Sequence, residues 1–164
     1  MISRRSLLAS GTAGMAVVTW GGLSASSSSA SSAGFPFTLT DAEWRKRLTA
    51  AQYTVLRREG TERPFTSSLL NEKRRGTFAC AGCDRDAFSS TTKYDSHTGW
   101  PSFWSALPDG VGTTRDQTLG MARTAVHCAS CGGHLGHVFE DGPQPTGLRY
   151  CMNGVAMMFR PASA

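Results

Sequence analysis

Five cysteines carry most of the chemical content of this 164-residue sequence. Four of them fall into two pairs of one spacing, Cys80-Ala81-Gly82-Cys83 and Cys128-Ala129-Ser130-Cys131. Zinc takes four tetrahedral thiolates at about 2.3 Å, and two Cys-x-x-Cys turns deliver them from two chain segments. The small residues inside each turn leave backbone N–H groups room to face the sulfurs. The expectation is a structural zinc on Cys80, Cys83, Cys128 and Cys131. Disulfides, a dithiol redox pair and a four-thiolate iron centre are the competing readings.

Cys151 is left over, in Arg149-Tyr150-Cys151-Met152-Asn153. The bland reading is an inert core thiol. On an alternating strand, however, Arg149, Cys151 and Asn153 share one face, so a cation and an amide flank the sulfur. A nearby guanidinium favours the thiolate, the form that attacks. His134-Leu135-Gly136-His137-Val138-Phe139 offers imidazoles that exchange protons near neutral pH. Gly99-Trp100-Pro101-Ser102-Phe103-Trp104 groups aromatic rings beside Gly and Pro, which alone would be a core patch.

The elements that must position these residues are short. Thr40 with Glu43, and Thr49 with Gln52, form two capping-box patterns, and Gly60 supplies a stop. They predict helices over about 41–48 and 50–59. Beyond Gly76 the pattern turns to β-like runs, Thr77–Cys80, Met121–His127 and Val155–Phe159, separated by Gly, Pro, Asp and Ser clusters. No βαβ alternation appears, so the fold class is mainly β with a short helical lead-in. With 40% hydrophobic residues and a net charge of +5 spread along the chain, one ordinary domain is expected and no nucleic-acid partner. Nothing indicates an oligomer, and a monomer is expected.

Residues 1–33 read as an export signal. Arg4-Arg5 is followed by a weakly apolar stretch and then a Ser/Ala run offering cleavage at Ala25, Ala30 or Ala33. The order resembles a Tat-type signal and predicts a periplasmic or extracellular protein, with residues 34–164 as the domain. Export of folded chains would let metal be loaded before an oxidising compartment is met.

From about Phe37 to Pro161 the sequence is similar to the type B methionine sulfoxide reductases. The resemblance is carried by Gly60-Thr61-Glu62-Arg63-Pro64-Phe65, Gly99–Phe103, His134–Phe139, Asp141-Gly142-Pro143, Pro145-Thr146-Gly147 and Arg149–Asn153, with both Cys-x-x-Cys turns in place. It implies two antiparallel sheets with zinc at one side, and thiol-dependent reduction of the R epimer of peptide-bound methionine sulfoxide. It implies Cys151 as nucleophile, left as a sulfenic acid once methionine departs, with His137 as acid or hydrogen-bond donor and His134 as its partner. Asn153 and Arg149 would hold the thiolate and orient the S–O group. Trp100 would be the wall for the substrate methyl, with Phe139 and Asp141 at the substrate site and Asp141 orienting a histidine or loop backbone. The implied partners are oxidised proteins and an external thiol reductant, thioredoxin-like or other. Many members carry a resolving cysteine after Asp-Ser-Gly; here the stretch is Asp95-Ser96-His97-Thr98-Gly99, so Thr98 stands where that thiol would be. A one-cysteine cycle is therefore expected. Two other classes fit the knuckles: a zinc-ribbon-like binding module, which has no need of the Arg-x-Cys-x-Asn segment, and a thiol oxidoreductase using the paired cysteines, whose activity and fold would survive chelation.

Overall fold

The computed structural model describes residues 34–117 and 122–163; the expected export signal over 1–33, and Met121, lie outside the described residues. Helices α1 (Asp41–Arg47) and α2 (Ala50–Arg58) open the domain. Both capping boxes form: Thr40 and Thr49 accept from the N–H three residues on, while Glu43 and Gln52 accept from the cap N–H in return. The left-handed residue ending α2 is Glu59, one position before the expected Gly60, and the Gly60 N–H closes the end on Thr54 O at 3.0 Å.

Among the described residues nine strands follow: β1 (Gly76–Cys80), β2 (Asp86–Ser89), β3 (Lys93–Tyr94), β4 (Ser102–Phe103), β5 (Val111–Asp116), β6 (Arg123–Cys128), β7 (His134–Phe139), β8 (Arg149–Met152) and β9 (Met157–Pro161). They pair antiparallel into a three-stranded sheet, β2-β1-β9, and a six-stranded sheet, β3-β4-β8-β7-β6-β5. Two expectations need correction. Gly154–Ala156 is a 3₁₀ turn, so the last strand starts at Met157 rather than Val155. For the same reason β8 stops at Met152 and Asn153 caps the turn instead of continuing the strand face. The backbone N–H groups of Gly154 and Val155 turn away to a carboxylate, which ends strand pairing there.

Each Cys-x-x-Cys is the tip of a hairpin, one joining β1 to β2 and the other β6 to β7, so the two tips come from different sheets. The helices brace both. Arg47 Nε donates to Gly82 O at 2.5 Å in the first tip, and Arg57 Nη1 donates to Cys131 O at 3.1 Å in the second. Behind them α1 and α2 bury Trp44, Tyr53, Val55 and Leu56. The core between the sheets is aromatic. Phe103 stacks on Phe88 at 4.5 Å between centroids, and Phe78 meets both Phe103 and Phe159 at 5.0 Å. Among the described residues no helix is long and apolar enough to cross a membrane.

Phe78 is fully buried and touches rings from both sheets. Phe78→Ala is expected to cost about 3–5 kcal/mol, read as a drop in the denaturant midpoint at unchanged slope.

Candidate active site and thiol cluster

The site is assembled by register. Ser102 on β4 lies opposite Cys151 on β8, and Cys151 lies opposite His137 on β7, so the three side chains form a row across adjacent strands. Gly136 makes the close approach possible: a side chain there would run into the Cys151 carbonyl and Met152. His134 and His137 are three apart, and unbroken alternation would send them to opposite faces. Between Val126 and His127 the β6–β7 register slips by one residue, and the two imidazoles meet edge to face at 5.2 Å.

Cys151 is half-buried and opens on a cavity of about 130 Å³. Trp100, His137, Phe139 and Asn153 line it with the thiol, joined by Thr61, Gly136 and Arg123. Trp100 spends its one polar atom outside the cavity, Nε1 donating to Glu62 O at 3.1 Å, so the ring offers only its apolar surface. Asn153 is buried and bonded at three points: its N–H and Nδ2 donate to Leu135 O at 2.8 and 3.1 Å, and Oδ1 accepts from the Glu62 N–H at 2.9 Å. Glu62 closes the set by accepting from Gly154 N–H at 2.5 Å and Val155 N–H at 3.0 Å. Asn153 and Trp100 are thus tied to one residue, Glu62.

Arg149 and Asp141 form a bidentate pair at 2.8 and 2.7 Å, and the guanidinium lies 4.4 Å over the Phe139 ring. Asp141 was expected on a histidine or on loop backbone; it holds Arg149 instead, lies outside the cavity lining, and its carboxyl is kept below its ordinary range by that pairing. The thiolate expected beside Arg149 is not the resting form. Burial pushes the Cys151 thiol above its ordinary value, against the pull of the Thr98 hydroxyl and of a guanidinium shared with Asp141.

Asp116 on β5 accepts from His137 Nε2 at 2.8 Å and from Arg123 Nη2 at 2.7 Å. His134 sits behind His137, buried, and burial followed by the neighbouring His137 holds its pKa down to about 4. It is a neutral imidazole at physiological pH. The sequence reading did not single out Glu62, Asp116, Arg123 or Thr61 for roles. Glu62 and Thr61 stood inside the Gly60–Phe65 segment, while Asp116 and Arg123 join only through the β5–β6 hairpin and carry no local signal.

The other four thiols cluster, their sulfurs all within 4.8 Å of one another. Cys80 and Cys131 are 3.7 Å apart and Cys83 and Cys128 3.5 Å apart, all free thiols. Tetrahedral zinc with Zn–S of about 2.3 Å would set its sulfurs about 3.8 Å apart, so the quartet could hold a metal such as zinc. The Gly82 N–H faces Cys80 Sγ at 3.4 Å, as a thiolate there would require. Without a cation the four cannot all ionise: hydrogen bonds from Cys128 and the others pull Cys83 down while Cys128 and the rest push Cys80 up.

The SelR domain family matches residues 48–161. A relative from Agrobacterium fabrum named peptide methionine sulfoxide reductase MsrB is 54% identical over 123 residues, covering 74% of this chain and 91% of its own. Proteins of the same name from Pseudomonas putida (55% over 120 residues, 73% and 90%) and Leptospira interrogans (51% over 122, 74% and 93%) agree with it. The chain belongs to this family, the type B methionine sulfoxide reductases.

A histidine with depressed folded pKa binds its proton more readily when unfolded, so stability is lost as pH falls. Between pH 6.5 and about 4 the His134 contribution, on the order of 3 kcal/mol, is expected to disappear. Urea titrations across that range should show this component, and it should be missing from His134→Asn.

Proposed function

We infer that the chain is a peptide-methionine (R)-S-oxide reductase, an oxidoreductase that returns oxidised methionine in peptides and proteins to methionine at the expense of thiols. The observation that carries this reading is Cys151 on an aromatic-walled cavity, apart from the clustered thiols, in a chain of this family. The substrate methyl packs on the apolar face of Trp100, where the S–O oxygen would be left without a partner; that asymmetry selects one epimer. The oxygen then lies toward His137. The His137 Nε2–H is spent on Asp116, an acceptor only, which leaves Nδ1 for the oxygen, donating once the ring is protonated. His134, neutral, is the packing partner of His137 rather than a second acid.

Cys151 Sγ attacks the sulfoxide sulfur and the oxygen ends on Sγ. The methionine S–O bond breaks, an Sγ–O bond forms, and the thiol proton finishes on that oxygen. Cys151 is oxidised by two electrons to the sulfenic acid, and the substrate sulfur is reduced by the same two. Arg149 steadies negative charge at Sγ, and Asp141 steadies Arg149. Asn153 holds the end of β8 in place. Thr98 stands 3.8 Å from Sγ where a second thiol would be useful, and the four remaining cysteines form the cluster. An external thiol therefore attacks the sulfenic sulfur, releasing water, and a second thiol releases Cys151 as a disulfide leaves.

Zinc on Cys80, Cys83, Cys128 and Cys131 is part of the same proposal. It supplies no redox chemistry and joins two hairpin tips. The Arg4-Arg5 segment supports export to the periplasm or beyond, where exposed methionines meet oxidants.

Cys151→Ser is expected to abolish dithiothreitol-dependent consumption of a methionine-R-sulfoxide peptide while metal content and circular dichroism stay at wild-type values. Activity in that variant would contradict the assignment. Stripping the metal should unfold the domain, because a zinc–thiolate site stores on the order of 10 kcal/mol, as much as a typical domain's whole stability. Chelation that leaves the melting transition in place would rule out a structural metal.

A further inference from the structure

The hydroxyls beside Cys151 form a chain with a direction. Thr98 Oγ1 lies 3.8 Å from Cys151 Sγ and 2.8 Å from Ser96 Oγ. Ser96 Oγ is 2.6 Å from Ser102 Oγ, and Ser102 Oγ donates to the Trp100 carbonyl at 3.1 Å. A carbonyl only accepts, and each hydroxyl or thiol brings one hydrogen. Four contacts are therefore filled by four hydrogens in a single arrangement: Cys151 S–H to Thr98, Thr98 to Ser96, Ser96 to Ser102, Ser102 to Trp100 O. Take the thiol proton away and three hydrogens must serve four contacts. One link opens, or the whole chain turns over and the Trp100 carbonyl loses this partner. Ser102 is fully buried, which makes an unfilled link beside it costly.

We propose that Thr98, Ser96 and Ser102 act as a proton lock, holding Cys151 as a thiol in the resting enzyme so that its proton leaves only for the oxygen of a bound sulfoxide. Thr98 touches the reacting sulfur; Ser96 and Ser102 are positioning residues. The thiolate is the form that oxidants and alkylating agents attack, so the lock spares the nucleophile between turnovers. Burial of Cys151 works in the same direction, whereas a Thr98 hydroxyl turned toward the sulfur, and Arg149, pull toward the thiolate, so the lock acts by keeping the Thr98 hydrogen on Ser96. The charged and titratable groups around the sulfur set a baseline that the lock adds to, and of these Arg149 also reaches Sγ and favours the thiolate. Arg149 on β8 is held by Asp141, and His137 on β7 by Asp116, which also takes Arg123 of β6. Tyr94 on β3 lies beyond Ser102, and burial keeps its phenol protonated. The proposal rests on Cys151 being the nucleophile.

The test is the pH dependence of Cys151 alkylation by iodoacetamide in the metal-loaded protein, followed by mass spectrometry of the Cys151 peptide. Ser96→Ala removes the acceptor of the Thr98 hydrogen, which then turns to the sulfur and favours the thiolate. The Cys151 inflection should fall and the rate at neutral pH rise roughly tenfold, the equivalent of one pKa unit. Adding Thr98→Val should cancel the gain, since the donor is gone. Ser102→Ala breaks the chain one link further on and carries the same expectation should Ser96→Ala not fold. A rate at or below wild type in Ser96→Ala, or a gain that survives Thr98→Val, overturns the lock. The readout needs no turnover, so either result leaves the reductase assignment to be judged on Cys151→Ser.

Discussion

The chemistry of this chain depends on one register, Ser102 against Cys151 against His137 across β4, β8 and β7. Strand side chains alternate, so slipping any of the three by one residue would carry its side chain to the opposite face. Several features hold the register from outside. The Ser102 hydroxyl is bonded to the Trp100 carbonyl, Asn153 fastens the end of β8 to Leu135, and Gly136 permits a backbone approach that a larger residue would block. The Glu62 carboxylate seals the turn beyond β8 while its own peptide groups hold Trp100 and Asn153. Cavity wall, amide and the Cys151 thiol are positioned by one connected set of hydrogen bonds.

The five thiols fall in two places, and the separation is structural. Four thiols sit at hairpin tips from different sheets, close enough to hold a metal, and Arg47 and Arg57 of the lead-in helices clasp both tips. The fifth lies on a strand in the six-stranded sheet with hydroxyl, imidazole and indole around it. A metal at the tips would close a long loop between sheets, while a reacting thiol on the strand would need an open side and a controlled proton.

Much of this was legible in the sequence wherever the signal was local. The two capping boxes placed both helices to within a residue, because Thr40 with Glu43 and Thr49 with Gln52 act over one turn. The paired Cys-x-x-Cys turns announced the cluster through spacing alone. What depended on cross-strand partners was not legible. Asp116 reaches His137 only because β5 pairs with β6 and β6 with β7. The one-residue slip near His127 that brings His134 beside His137 leaves no mark in the residue pattern. Val155 reads as strand by type but is drawn into a turn by the Glu62 carboxylate, 93 positions away. Arg149 reads as an activator of Cys151 and does pull toward the thiolate, but it is shared with Asp141 and burial outweighs it.

The central claim, that the oxygen of the substrate passes to Cys151 Sγ, is tested most directly by one turnover with heavy-oxygen-labelled methionine R-sulfoxide and no reductant, with the sulfenic acid trapped by dimedone or read directly by peptide mass spectrometry. The label, or the trapped adduct, is expected on the Cys151 peptide in one-to-one proportion with methionine formed. Methionine released with Cys151 unmodified and the oxidation found on Cys80, Cys83, Cys128 or Cys131 would contradict it.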